Sequence, residues 1–138
     1  ALLEACAAKG GVIGIEAPPH TTLTKQHRRH SIESFMEHFR YVEKLVGIDH
    51  VGFGPDTVYG DHVGLHHTYV AALSLAESRG EGKPDQEFEE VPWVSGLENP
   101  TEGSHNIVRW LVREGYDDES IEKVMGGNAL RVMREAWS

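Results

Sequence analysis

The stretch from Leu45 to Thr57 constrains the fold of this chain more than any other. Its first residues complete an apolar helical pattern, and Gly47 suits the position just after a helix C-terminus because glycine adopts a positive φ at little cost. Residues 50–54, His-Val-Gly-Phe-Gly, are too few for a helix and predict a short strand buried on both faces. The two glycines in it leave room for a neighbouring backbone or a ligand to come close.

A lone carboxylate, Asp56, follows this predicted strand. Pro55 ends the strand because proline donates no backbone hydrogen bond, so Asp56 is presented at the carboxyl end. In barrels and open α/β sheets that end carries the chemistry, which makes Asp56 the leading candidate for a functional residue. The alternative is that Asp56 only forms a turn or caps the next helix.

A second short apolar strand, at residues 11–17, ends at Pro18. Between the two strands, Ser31 is a good N-cap and apolar residues recur at helical spacing, which predicts an amphipathic helix from about 31 to 46. Strand, helix and strand over about 45 residues indicate a right-handed βαβ unit with a parallel sheet. His20 follows the first strand and therefore shares a sheet edge with Asp56, which makes it a weaker candidate for substrate binding.

The last third of the chain predicts three more helices. One spans about 104 to 114, the next is capped by Asp117 or Asp118 and broken at Gly126-Gly127, and Asn128 caps the last. Trp93 and Leu97 are expected to attach the preceding loop to the body of the protein. The predicted inward positions of these helices are Ile107, Trp110, Leu111, Ile121, Val124, Met125, Leu130, Val132 and Met133.

Length and charge exclude several classes of protein. The 138 residues suit one domain with a real core, and a net charge of −9 argues against a nucleic-acid partner. No apolar run approaches the roughly 20 residues of a membrane span, and no secretory signal is visible, so a soluble, cytoplasmic protein is the expectation. The single cysteine excludes an internal disulfide. The basic cluster at residues 25–30 is interpreted as a solvated loop.

The nine histidines of the chain keep metal chemistry open. The densest cluster is Asp61, His62, His66 and His67, in which His62 and His66 have the four-residue spacing of two zinc ligands on one helix face. No Glu follows His62, so the His-Glu-x-x-His pattern is absent, and a bland surface loop is the competing interpretation. Two other histidines, His38 and His50, lie beside apolar faces and are interpreted as satisfied boundary residues.

Five segments in order resemble the C-terminal portion of the membrane (renal) dipeptidase family, peptidase family M19. They are Gly-Gly-Val-Ile-Gly-Ile at 10–15, Glu-His-Phe-Arg-Tyr-Val at 37–42, Val-Gly-Ile-Asp-His-Val-Gly-Phe-Gly at 46–54 followed by Asp56, Gly-Leu-Glu-Asn at 96–99, and the ending Ile-Glu-Lys-Val-Met-Gly-Gly-Asn-Ala-Leu-Arg-Val-Met at 121–133. Order and spacing match from residue 10 onwards, apart from a longer insertion after Asp56.

The resemblance implies a (β/α)8 barrel with two zinc ions that hydrolyses the peptide bond of dipeptides. The two strands here would be the last two of that barrel, and Asp56 matches the family's active-site Asp in Gly-Ser-Asp-Phe-Asp-Gly. There it is thought to bind the substrate's amino end and to take part in proton transfer. Here the stretch reads Gly-Pro-Asp-Thr-Val-Tyr-Gly at 54–60, without the second Asp, and the excursion at about 57–100 is longer.

The family's metal ligands are a His-x-Asp pair, a bridging Glu and two further histidines, all upstream of the matching portion. None has a match here, so no metal ligand is assigned. Because the chain opens in mid-helix without an initiator Met, residues 1–138 are expected to be a C-terminal segment of one barrel domain. Alone it should be inactive, and it needs the missing half of the barrel or self-association for stability. Two alternatives remain: a metal-binding module that uses the Asp61 cluster, and a catalytically dead, barrel-derived interaction protein.

Overall fold

Two short parallel strands and the helix between them form the centre of the fold. The structure, a computed structural model, describes residues 1–18, 21–57, 59, 91 and 93–138. Strand β1 (Ile13–Ile15) pairs in parallel with strand β2 (Val51–Phe53), with Ile13 opposite Val51. This confirms the predicted parallel strand–helix–strand unit.

The helix bounds follow the capping residues. Helix α1 is Leu2–Ala7, and α2 is Ile32–Val46, as predicted, with the Ser31 hydroxyl accepting a hydrogen bond from the Ser34 N–H. Gly47 follows α2 with a φ of 87°, the left-handed conformation that glycine adopts readily. A 3₁₀ turn, Ile48–His50, then precedes β2, so His50 lies outside the strand in which it was predicted.

Three helices make up the C-terminal third. Helix α3 (Pro100–Arg113) begins four residues earlier than predicted, because the Asn99 side chain accepts the Thr101 N–H at 2.9 Å and proline suits the first turn. Helix α4 (Asp118–Glu122) is capped by Asp117, and a π-helical segment (Lys123–Gly127) leads into α5 (Asn128–Ala136). Gly126, with a φ of 157°, kinks the chain there, as the glycine pair predicted.

Two expectations for α5 are wrong. Asn128 does not cap the helix: it is buried, and its Nδ2 donates to the carbonyl oxygens of Ile48 and Val51, each at 2.8 Å. It therefore ties α5 to the start of β2. Leu130 and Met133, which were expected to face inward, are each 47% exposed.

The core lies between α2 and the two strands. Phe35, Met36 and Phe39 are fully buried on one face of α2, and the Phe39 ring lies 4.9 Å from that of Phe53. The π-helical segment packs onto β2 at Gly52, where a Cβ would lie 3.4 Å from the Val124 carbonyl oxygen, whereas the space beside Gly54 is open. The buried hydrophobic residues of the core are Ile15, Ala17, Phe35, Met36, Phe39, Val42, Val51, Val94, Leu97, Ile107, Trp110, Leu111 and Val124.

Polar contacts join α2 to α3 at the rim of this core. The indole N–H of Trp110 donates to Glu33 at 2.9 Å, and Arg113 donates to the other carboxylate oxygen at 2.8 Å. The Arg40 guanidinium lies 4.6 Å from the centroid of the Trp110 ring, a cation–π distance. One carboxylate thus orders an aromatic ring and a cation of the neighbouring helix.

Replacing Asn128 should destabilise the protein more than replacing a half-buried amide that binds a single carbonyl oxygen. Asn128→Ala leaves two carbonyl oxygens without their donor, so we expect a loss of about 1–3 kcal/mol in the free energy of unfolding. Asn106→Ala is the control, because it removes one bond to the Gly96 carbonyl oxygen and one bond accepted from the exposed Arg109. Urea unfolding followed by circular dichroism measures both losses. Equal losses would show that the hydrogen bonds of Asn128 stabilise the protein no more than those of Asn106.

Glu33 should make stability sensitive to acid. Burial alone would raise its pKa, but the hydrogen bonds from Trp110 and Arg113 outweigh burial and hold the pKa below its ordinary value of 4.5. A pKa depressed by folding contributes stability above about pH 4.5 that is lost as the pH falls through the folded-state value. Melting temperatures between pH 7 and pH 3 should therefore fall less steeply for Glu33→Gln than for wild type. The exposed Glu98→Gln should follow the wild-type curve.

Candidate functional site

The carboxyl ends of β1 and β2 meet at one edge of the sheet, and Asp56 lies there. The ladder continues past both strands: the Gly54 N–H donates to the Ile15 carbonyl oxygen and the Ala17 N–H to that of Pro55, each at 3.1 Å. Asp56 is the next residue. The structure therefore places Asp56 where its sequence position predicted; its catalytic and substrate-binding role stays a prediction.

The backbone of Asp56 is unusual. Its φ of 53° is the sole positive value at a non-glycine position in the part of the chain that the structure describes. The left-handed region costs most L-residues about 1–2 kcal/mol, and aspartate tolerates it better than most. Such conformations cluster at functional sites, although a simple turn residue also adopts them. The side chain is exposed, so the carboxylate is accessible to a ligand.

The other predicted site residues divide into two groups. His20, Asp61, His62, His66 and His67 lie outside the described residues, so the substrate-binding prediction for His20 and the metal-binding alternative stay untested. Across residues 1–18, 21–57, 59, 91 and 93–138, no group of three or more His, Cys, Asp or Glu side chains could hold a metal ion.

His38 and His50 are boundary residues, as expected. Both are half-buried and donate to backbone carbonyl oxygens: His38 Nε2 to Thr22 at 3.3 Å, and His50 Nδ1 to Gly11 at 2.9 Å. Each histidine thus ties a helix or turn to a neighbouring loop. Neither is arranged with other ligands around a metal.

The basic cluster is more ordered than a solvated loop. Arg28 and Arg29 are exposed, but His30 is buried, with its Nδ1 2.7 Å from the Thr22 hydroxyl. His27 turns toward helix α2 and lies 2.7 Å from the Glu37 carboxylate. Sequence reasoning missed these contacts, since neither capping rules nor apolar spacing pair a loop histidine with a threonine or with a helical carboxylate.

A returning segment packs against the start of α2. The Ser95 N–H donates to the His30 carbonyl oxygen at 2.9 Å, and the Ile32 N–H donates to the Ser95 carbonyl oxygen at 2.7 Å. Gly96 has a φ of 90°, and a Cβ there would lie 3.1 Å from a methyl group of Ile32, so any other residue would be strained. Leu97 is fully buried, as expected for an attachment point, whereas Trp93 is 45% exposed.

The chain matches known proteins along most of its length. The profile of the membrane dipeptidase family (peptidase family M19) matches residues 1–74 and 86–138. Dipeptidase tcpJ of Claviceps purpurea is 27% identical over 125 residues, which cover 91% of this chain and 22% of that protein. An amidohydrolase from Pseudomonas aeruginosa, solved by crystallography, superposes with a TM-score of 0.72 at 26% identity over 99% of this chain and 39% of its own.

The chain therefore spans well under half the length of either relative. The described helices include none with the length and apolar character needed to span a membrane.

Substitutions at Asp56 should show how strongly the positive φ of this residue affects the stability of the protein. Asp56→Gly removes the left-handed cost of about 1–2 kcal/mol but adds about 0.5–1 kcal/mol of unfolded-state entropy, so we expect a nearly unchanged stability. Asp56→Val should lose at least 1–2 kcal/mol, since a β-branched residue is an outlier at positive φ. Thermal unfolding of both variants tests this; equal losses would mean that the conformation of residue 56 is not the constraint.

Proposed function

Because the chain belongs to the membrane dipeptidase family, we propose that it contributes to the hydrolysis of the peptide bond in dipeptides or related small amides. The observation that carries this proposal is the position of Asp56, an exposed carboxylate at the carboxyl edge of the parallel strands. The names of the two relatives, a dipeptidase and an amidohydrolase, support the same reaction class. Family membership supports a hydrolase; the activity, the substrate and the residue role are our proposal.

Asp56 is proposed to bind the amino end of the substrate and to move a proton at the scissile bond. A carboxylate offers acceptor oxygens only, so it pairs with an ammonium group and takes up a proton from a reacting group within hydrogen-bond reach. The backbone of Asp56, with a φ of 53° just after the strand, is proposed to orient the carboxylate at the sheet edge before the substrate binds. Such prior orientation lowers the entropic cost of reaching the transition state.

We further propose that the chain acts as the C-terminal part of a (β/α)8 barrel. The two described strands form only a small parallel sheet. Parallel sheets occur almost only where other elements cover both of their faces. Trp137, at 82% exposure, and the half-exposed Leu130 and Met133 on α5 leave apolar surface for further packing. By this proposal the segment alone is inactive and is stabilised by the missing part of the barrel or by self-association.

Zinc, implied by the family resemblance, does not fit the described residues. No group of three or more potential ligands lies within them, and an ordinary zinc site needs three or four. We propose that the binuclear site belongs to other parts of the intact enzyme. No step is therefore assigned to metal here, and the chemistry attributed to this chain is that of Asp56.

Asp56→Asn in the intact enzyme is expected to lower kcat/KM for dipeptides by about 10²–10⁴-fold, the usual contribution of a positioned acid–base group. The amide keeps the shape but can neither balance an ammonium charge nor take up a proton. Asp118→Asn, an exposed aspartate at the start of α4, is the matched control and should retain wild-type activity. Unchanged hydrolysis in Asp56→Asn would exclude Asp56 from the catalytic step, whereas a wild-type enzyme that hydrolyses no dipeptide would favour the catalytically dead interaction protein.

A further inference from the structure

The carboxylate of Glu37 on helix α2 is bound by the loop that follows β1. The Thr24 hydroxyl donates a hydrogen bond to Glu37 Oε2, and His27 Nδ1 lies 2.7 Å from the same oxygen. We call these three residues the Glu37 latch. One carboxylate oxygen thereby holds two side chains that are three residues apart in the loop.

Two further hydrogen bonds that involve the backbone join Thr24 and His27 to each other. The His27 N–H donates to the Thr24 hydroxyl oxygen at 2.9 Å, and the Thr24 N–H donates to the His27 carbonyl oxygen at 3.0 Å. The hydroxyl therefore accepts from the loop and donates to the helix. Removing it breaks both bonds, so the contacts of the latch are expected to be cooperative.

Contacts on either side of the latch bind the loop to the same helix. Thr22 is buried; its carbonyl oxygen accepts from His38 Nε2, and its hydroxyl lies 2.7 Å from His30 Nδ1. His30 in turn accepts the Ser95 N–H at its carbonyl oxygen. The loop is thus held near its start, its middle and its end.

The latch uses charge as well as geometry. Hydrogen bonds from Thr24 and His27 hold the pKa of the Glu37 carboxyl below its ordinary value. The acceptor is ionised at neutral pH, so its hydrogen bonds are charge-assisted. The other titratable groups that act electrostatically on the latch are His38, beside Glu37 on α2, and Glu33, one turn earlier on the same helix. A neutral glutamine at position 37 should therefore hold the loop less firmly than glutamate.

This loop leaves the sheet at the edge where Asp56 lies. It begins just after Ala17, whose N–H donates a hydrogen bond to the carbonyl oxygen of Pro55, the residue before Asp56. In parallel α/β folds the loops at the carboxyl ends of strands form the substrate site. We propose that Glu37 is a positioning residue that, through Thr24 and His27, holds the β1–α2 loop in the conformation that admits substrate beside Asp56. This inference rests on the proposed dipeptide hydrolysis.

The test compares near-isosteric variants of Thr24 in the intact enzyme. Thr24→Val removes the hydroxyl at nearly constant shape, Thr24→Ser keeps it, and Thr21→Val makes the same exchange at an exposed position of the same loop. Hydrogen exchange of the amides of residues 21–30 reports the loop, and the kinetics of dipeptide hydrolysis report the site. Glu37→Gln and Glu37→Ala provide a second, independent series.

Thr24→Val should speed exchange of the loop amides by roughly fivefold to a hundredfold, the equilibrium effect of losing both hydrogen bonds of the hydroxyl. It should raise KM by a similar factor and leave kcat within about twofold, since the loop binds substrate and does not react. Thr24→Ser and Thr21→Val should resemble wild type. Glu37→Ala should speed loop exchange and raise KM more than Glu37→Gln does. A purely structural role would loosen the loop without changing KM.

Three outcomes overturn the inference: unchanged exchange in Thr24→Val, faster exchange with an unchanged KM, or no rescue by Thr24→Ser. A different outcome separates it from the proposed function. If the wild-type enzyme hydrolyses no dipeptide while Thr24→Val still loosens the loop, the proposed function fails, and the fixation of the loop by Glu37 is supported.

Discussion

Burial of the apolar face of α2 against two parallel strands is the constraint on which the rest of the structure depends. Phe35 and Phe39 have no accessible surface, and both rings pack near Phe53 of β2. Each buried aromatic side chain contributes on the order of 2–3 kcal/mol, more than any exposed ion pair in this chain can. Strand pairing brings both strand ends to one edge, and the position of Asp56 follows from it.

Polar contacts from α2 then hold the neighbouring helix and loop in place. Glu33 binds two groups of α3, whereas Glu37, one turn further along the same helix, binds the β1–α2 loop. The two carboxylates have lowered pKa values because each accepts hydrogen bonds from neighbouring elements. Helix α2 therefore connects the core on one face to the loops of the candidate site on another, which links packing to function.

Membership of the membrane dipeptidase family is the basis for proposing a role for Asp56, which its geometry alone does not determine. A left-handed aspartate after a strand is compatible with a simple turn, and the functional role of Asp56 is our proposal, made because the chain belongs to this family. The structure gives a physical reason for the first two residues of the Gly-Leu-Glu-Asn element. Gly96 allows close approach to Ile32, and Leu97 fills the core, so these two residues serve packing.

Local patterns in the sequence by themselves determined α2, the two strands, the Ser31 and Asp117 caps and the position of Asp56, because apolar spacing, capping side chains and proline act over a few residues. Only the tertiary structure decided which surfaces are covered. Thus Asn128 binds two carbonyl groups from a segment some 80 residues away, Leu130 stays half-exposed, and Glu37 holds the loop. Such partners are distant in sequence, so no local period or capping rule reveals them.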